Sequence, residues 1–218
     1  MDCWKSCQLT QTIPAEAPNE ANLIEGEAMA LMNLGNIASA KQDFAGSLPY
    51  FEEGMRIGEP LLKEQARNST KEIIRNCHWG LADSLDNLGR DAEAIPHWQG
   101  MIDLIRTPKE QAAFRTNHAL SLAKAGRTAE ALKEIEELVA AQLLPKSVLG
   151  NAAAVYSLAS AKSSEREVLQ QKAIKSLRAA KKAGSLPINF PSGKEFDPLR
   201  ARADFPKLVN ELRNAPSK

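Results

Sequence analysis

Gly89-Arg90-Asp91-Ala92-Glu93-Ala94 recurs 37 residues later as Gly126-Arg127-Thr128-Ala129-Glu130-Ala131, with five of six positions identical. The residues after the two copies also match in type. Apolar residues fall at Ala94, Ile95, Trp98, Met101, Ile102 and Ile105 after the first, and at Ala131, Leu132, Ile135, Leu138 and Val139 after the second. Steps of three and four place such residues on one face of a helix. A fainter copy lies 47 residues before the first, in Ala45, Ser47, Leu48, Pro49, Phe51 and Met55. Pro49 and Pro96 share a slot two residues ahead of an aromatic, near a helix start, where a missing N–H does least harm.

A second amphipathic helix precedes each of these. Its stripe is Ala28, Leu31, Leu34, Gly35 and Ala38, then Ile74, Cys77, Leu81, Leu85 and Leu88, then Phe114, His118, Ala119 and Leu122. Small residues recur in register at Gly35, Ala82 and Ala119, and again at Ser47, Ala94 and Ala131. Antiparallel helices joined by a short turn need small side chains where their axes approach. Gly89 and Gly126 suit a left-handed C-cap, and Asp91 and Thr128 the N-cap of the next helix. A fourth pair is expected at 147–183, with faces Leu149, Ala152, Ala153, Tyr156, Ala159 and Ala173, Ile174, Leu177, Ala180.

Composition agrees. The chain has 33 Ala among 218 residues and 5% aromatics, so good helix formers abound and strand-forming runs are missing. No stretch approaches the roughly 18 apolar residues of a membrane span. Met1-Asp2-Cys3-Trp4-Lys5 lacks the pattern of a secretory signal, and Cys3, Cys7 and Cys77 form no disulfide framework, so a reducing cytoplasm is expected. The net charge of +1 conceals a split. Residues 146–218 carry net +8 and residues 1–145 net −7, so opposite ends of the chain can present opposite charge.

Three copies in one internal register resemble the tetratricopeptide repeat, a helix–turn–helix unit of about 34 residues. The C-terminal third is similar to a narrower group. Asn151-Ala152-Ala153-Ala154-Val155-Tyr156-Ser157-Leu158-Ala159 resembles an Asn-Ala-Ala-Cys-x-Tyr-Ala-Leu signature, and Phe196-Asp197-Pro198-Leu199-Arg200-Ala201-Arg202-Ala203-Asp204-Phe205 an Asp-Pro-Leu-Arg-x-Arg-Pro-Asp-Phe ending. Both look like the C-terminal repeat region of planctomycete-type serine/threonine protein kinases, with Ala154 replacing Cys and Ala203 replacing Pro. The resemblance implies an all-α, right-handed superhelix of about four hairpins, at 21–66, 70–106, 110–144 and 147–184. Residues 1–20 are expected as a flexible lead-in. Residues 185–218 are expected as a cap, with Leu186, Phe190, Phe196, Leu199, Phe205, Leu208 and Leu212 covering the last hairpin.

Catalysis is not expected. Phosphoryl transfer requires a Gly-rich loop, a Lys–Glu pair and two Asp, and no Gly-x-Gly-x-x-Gly, His-Arg-Asp or Asp-Phe-Gly occurs. Cys77 and His78, taken with Cys3 and Cys7, make a poor zinc set, because helix neighbours do not share a face. No cofactor or metal is expected.

The resemblance implies that the first helices of successive repeats line a concave groove for a protein or peptide partner. Candidates there are Met29, Met32, Asn33 and Asn36; Asn76, Trp79, Asp83, Asp86 and Asn87; and Thr116, Asn117, Leu120 and Lys124. Asn amides both donate and accept to a peptide backbone, and Trp79 offers a stacking surface. One variant of the fold clamps the C-terminal carboxylate of chaperones with Lys, Arg and Asn. The matching slots here hold Met32, Asn36, Gly80, Ala113 and Asn117, so only Asn36 fits. Asp83 and Asp86 favour a neutral or basic partner instead. Lys172, Lys175, Arg178 and Lys182 form a basic face that reads first as solvated surface, and secondly as a dock for an acidic or phosphorylated partner. No known nucleic-acid motif and no interleaved aromatics accompany it, and neither nucleic acid nor membrane is expected as a partner.

Overall fold

The computed structural model describes residues 18–187 and 189–214. Among them the chain is all-helical, with no strand. It divides into two compact units, Met1–Leu104 and Ile105–Lys218. Most of the expected lead-in lies outside the described residues; its last three residues, from Pro18, already open the first helix.

The first unit holds α1 (Pro18–Ala40), α2 (Phe44–Gln65), α3 (Asn68–Asn87) and α4 (Asp91–Asp103). Each packs on the next, and α1 also packs on α3. The turn between α3 and α4 explains the Gly-Arg pair of the repeated stretch. Gly89 takes a φ of +72°, which a side chain would resist, and Arg90 N–H then reaches back to the Leu85 carbonyl at 2.8 Å. The Arg90 guanidinium grips Glu93 through two bonds of 2.7 Å, and Ala94 is fully buried against α3. Asp91 is the first residue of α4 rather than its N-cap; Arg90 holds that position without a side-chain cap bond. The α1–α2 turn differs. There Gln42 takes the positive φ, 63°, and the Asp43 carboxylate caps α2 by accepting from Gly46 N–H at 2.9 Å.

The long 47-residue spacing resides in α2 itself. It continues past Pro60 to Gln65, and only Ala66 and Arg67 separate it from α3. The core of this unit centres on Phe51, which is fully buried. Its ring lies between two glycines. A Cβ on Gly35 of α1 would fall 2.6 Å from the ring, and one on Gly80 of α3 would fall 2.3 Å from it. Only bare backbone lets three helices close around that ring. Beside it runs a seam of small polar residues, with Ser84 Oγ 2.8 Å from Ser47 Oγ and 3.2 Å from Ser39 Oγ. Leu34 and Leu88, expected on the packing stripes, are exposed instead.

The second unit holds α5 (Pro108–Lys124), α6 (Thr128–Ala140), α7 (Leu149–Ser160), α8 (Arg166–Ala183), α9 (Asp197–Arg200) and α10 (Phe205–Asn214). Short 3-10 turns occupy Lys146–Val148 and Lys194–Phe196. Here α5 packs on α6 and α7, and α7 on α8. The α5–α6 turn repeats the local chemistry of α3–α4. Gly126 has φ +87°, Arg127 N–H reaches Leu122 O at 2.8 Å, and Arg127 grips Glu130 through two bonds of 2.7 Å. Thr128, like Asp91, is the first helical residue rather than the cap.

The segment after α8 covers α7 and α8. The 3-10 turn at Phe196 and helix α9 lie on α7, and α10 lies on α8. Phe196 and Leu199 are fully buried, and Phe205, Leu208 and Leu212 nearly so. Phe190 meets Phe196 edge-on at 5.3 Å between ring centroids. Leu186 and Phe190 themselves are half-buried.

Candidate functional site

In the first unit, α1 and α3 lie side by side, so residues two helices apart in sequence become neighbours. Asn36, Ser39 and Ala40 of α1 meet Trp79, Gly80 and Asp83 of α3 around an open pocket of about 280 Å³ floored by Phe51. Trp79 and Asp83 sit one helical turn apart and therefore project from the same face. Trp79 is 41% exposed, unusually open for the largest apolar side chain. Burial pushes the Asp83 carboxyl above its ordinary range. Among the described residues no Lys, Arg or His lines the pocket. Three residues read from sequence as groove candidates thus come together: Asn36, Trp79 and Asp83.

The other candidates of this unit are placed differently. Asn33 and Met29 are exposed on α1 outside the pocket, and Asn76 is half-buried one turn before Gly80. Met32 is buried in the core. Asp86 turns away to accept the Trp98 indole N–H at 2.9 Å, which ties α3 to α4. Asn87 is exposed, and its amide donates to the Asp83 carbonyl of its own helix at 2.8 Å.

In the second unit, Thr116 is fully buried and donates to the Ala112 carbonyl at 2.8 Å, a core role rather than a surface one. Asn117 accepts from Asn151 Nδ2 at 2.8 Å, joining α5 to α7. Leu120 is half-buried and Lys124 exposed. The basic face of α8 is partly neutralised from within. Lys172 reaches Glu136 at 2.8 Å and lies 5.6 Å from the centre of the Tyr156 ring, and Arg178 forms two bonds of 2.7 and 2.8 Å to Glu211. Lys175 and Lys182 are exposed. The surface left to an acidic or phosphorylated partner is therefore smaller than the sequence implies.

A cleft of about 720 Å³ in this unit was not anticipated; Glu167, Gln170, Asp197, Arg202 and Asp204 are among the residues that line it. Arg202 holds it together, donating to both Glu167 oxygens at 2.8 Å, to Gln170 at 3.0 Å and to Asp204 at 2.8 and 3.1 Å. These bonds raise the Arg202 pKa further and lower those of Asp204 and Glu167. The Asp-Pro-Leu-Arg-x-Arg stretch was its only sequence signal, because Glu167 and Gln170 come from α8.

The zinc set does not assemble from the described half. Cys77 is a fully buried free thiol that burial pushes up to about 12, and His78 faces His97 with their Nδ1 atoms 3.3 Å apart. Cys3 and Cys7 lie outside the described residues. His118 donates to Glu134 at 2.7 Å. Among the described residues no three His, Cys, Asp or Glu side chains form a metal-sized group, and no helix is long and apolar enough to cross a membrane. Comparisons with protein-family models, with curated proteins and with solved structures return no match to this chain.

Proposed function

We propose that this chain is a non-catalytic protein–protein interaction module, built of tetratricopeptide-like hairpins wound as a right-handed superhelix, that holds a peptide or partner helix along its first helices. The observation that carries this reading is the meeting of Asn36, Trp79 and Asp83 around one open pocket with an exposed indole. Large aromatics left open beside a polar rim are the usual anchors of a protein interface. Support for the repeat family comes from two sources: the periodic sequence, and the contact of α1 with both α2 and α3 and of α5 with both α6 and α7. The setting in cytoplasmic serine/threonine kinase signalling rests on the sequence resemblance at Asn151–Ala159 and Phe196–Phe205.

Selection from a mixed-sequence peptide library on the full chain tests the module. Binders are expected whose affinity falls about tenfold in Trp79→Ala, typical of losing an aromatic anchor, while the thermal melt stays put. A library that yields no binder, or binders indifferent to Trp79→Ala, would overturn it.

A further inference from the structure

We infer that the pocket between α1 and α3 is an arginine site, which takes the guanidinium of a partner segment flat against Trp79 and in hydrogen-bond contact with the Asp83 carboxylate. The inference rests on the peptide-binding reading above and names the side chain that the pocket selects. Four observations carry it.

At about 280 Å³ the pocket falls just below the roughly 300–1,000 Å³ of small-molecule sites and suits a single side chain. Among the described residues that line it, its one formal charge is Asp83 and no cation is present. Among the described residues no donor reaches the Asp83 carboxylate and no partner reaches the Asn36 amide, so the acceptors wait for a ligand. A half-buried carboxylate without a donor is disfavoured, which the upward shift of its carboxyl expresses. An anionic or purely apolar occupant would make that worse.

Trp79 separates arginine from lysine. Its exposed indole stands one turn from Asp83, so a planar group can stack and pair at once. Guanidinium is planar, weakly hydrated and carries five donors in a fixed fork. Ammonium is a strongly hydrated point charge that gains less from the indole face. The Asn36 amide oxygen and the Ser39 hydroxyl offer further acceptors on the opposite wall.

The test uses three acetylated, amidated pentapeptides of alanine with arginine, citrulline or lysine at the centre. Indole N–H signals of the full chain are followed by NMR, with Trp79→Phe identifying the Trp79 signal. Arginine is expected to move that signal saturably, at least about tenfold more tightly than neutral, isosteric citrulline, and more tightly than lysine. In Asp83→Asn the arginine and citrulline curves are expected to coincide, with the thermal melt retained. Citrulline or lysine equal to arginine, or a preference that survives Asp83→Asn, would overturn the arginine site and leave the peptide-binding reading intact. If no pentapeptide moves the signal while library binders do, the arginine site again falls alone. If library binders fail as well, both fall.

Discussion

Phe51 shows how much a single ring can demand. It is fully buried, and two helices approach it so closely that neither Gly35 nor Gly80 has room for a methyl group. Gly80→Ala sets two effects against each other. Helix propensity favours alanine by about 1 kcal/mol, whereas forcing a carbon to 2.3 Å from an enclosed ring is overpacking of about 1–3 kcal/mol. The second wins, because the Phe51 ring is fully buried and must shift as a whole, and urea unfolding is expected to show a net loss of up to about 2 kcal/mol. Gly26, also inside a helix, has nothing within 4 Å of its missing Cβ. Gly26→Ala is therefore expected to stabilise by about 0.5–1 kcal/mol. If both changes had the same sign, the ring would not be what fixes Gly80.

At the scale of elements, the α3–α4 hairpin carries a pH dependence. His78 of α3 and His97 of α4 face each other at 3.3 Å, and Gly100 leaves the space that the His78 ring occupies. Burial, and then the neighbouring His97, push His78 down to about 4, with Asp103 opposing; burial also lowers His97, opposed by Glu52 and Glu59. The folded chain thus refuses a proton that the unfolded chain accepts. This hairpin holds its full stability above about pH 6.5, the unfolded value, and loses it as the pH falls towards 4. Because water reaches part of the ring, the loss is on the order of 1–2 kcal/mol. Chemical unfolding at pH 7 and pH 5 is the measurement, and His78→Gln should flatten the difference. An equal slope in both proteins would place the pH dependence elsewhere. The hairpin itself was legible, because Gly89 and Gly126 each follow an amphipathic stripe at the position where a left-handed C-cap favours glycine. The capping residue was not. A turn that ends on Gly-Arg can start the next helix at either of two positions, and the 2.8 Å bond from Arg90 N–H to Leu85 O selects the earlier one.

At the scale of the whole molecule, stability depends on how each unit closes. In the second unit the residues after α8 bury Phe196, Leu199 and Leu212 against α7 and α8. Three such side chains contribute about 1.5–3 kcal/mol each, a sum comparable to the 5–15 kcal/mol of a typical domain. Removing residues 185–218 is expected to abolish the cooperative unfolding of this unit and leave that of the first unit; calorimetry of both chains decides it. The charge split also looks different from this scale. Three cations of the basic C-terminal third are paired with carboxylates of their own unit, Lys172 with Glu136, Arg178 with Glu211 and Arg202 with Glu167 and Asp204. A count along the chain cannot see those pairs.

The sequence by itself determined that this chain is helical, roughly where its helices turn, and that small residues such as Gly35, Ala82, Ala119, Ser47, Ala94 and Ala131 are buried, but not that Gly80 closes on Phe51. Those properties arise from contacts within a few positions along the backbone: propensity, a period near 3.6 and a glycine at positive φ. Only the tertiary structure decided which polar residues remain available to a partner. Met32 and Thr116 entered the core, Asp86 went to Trp98, and Asn117 went to Asn151, while Asn36, Trp79 and Asp83 stayed open around one pocket. The reason is physical. A helix displays every side chain on some face, and its packing partners, tens of residues away in the chain, determine which face still meets water.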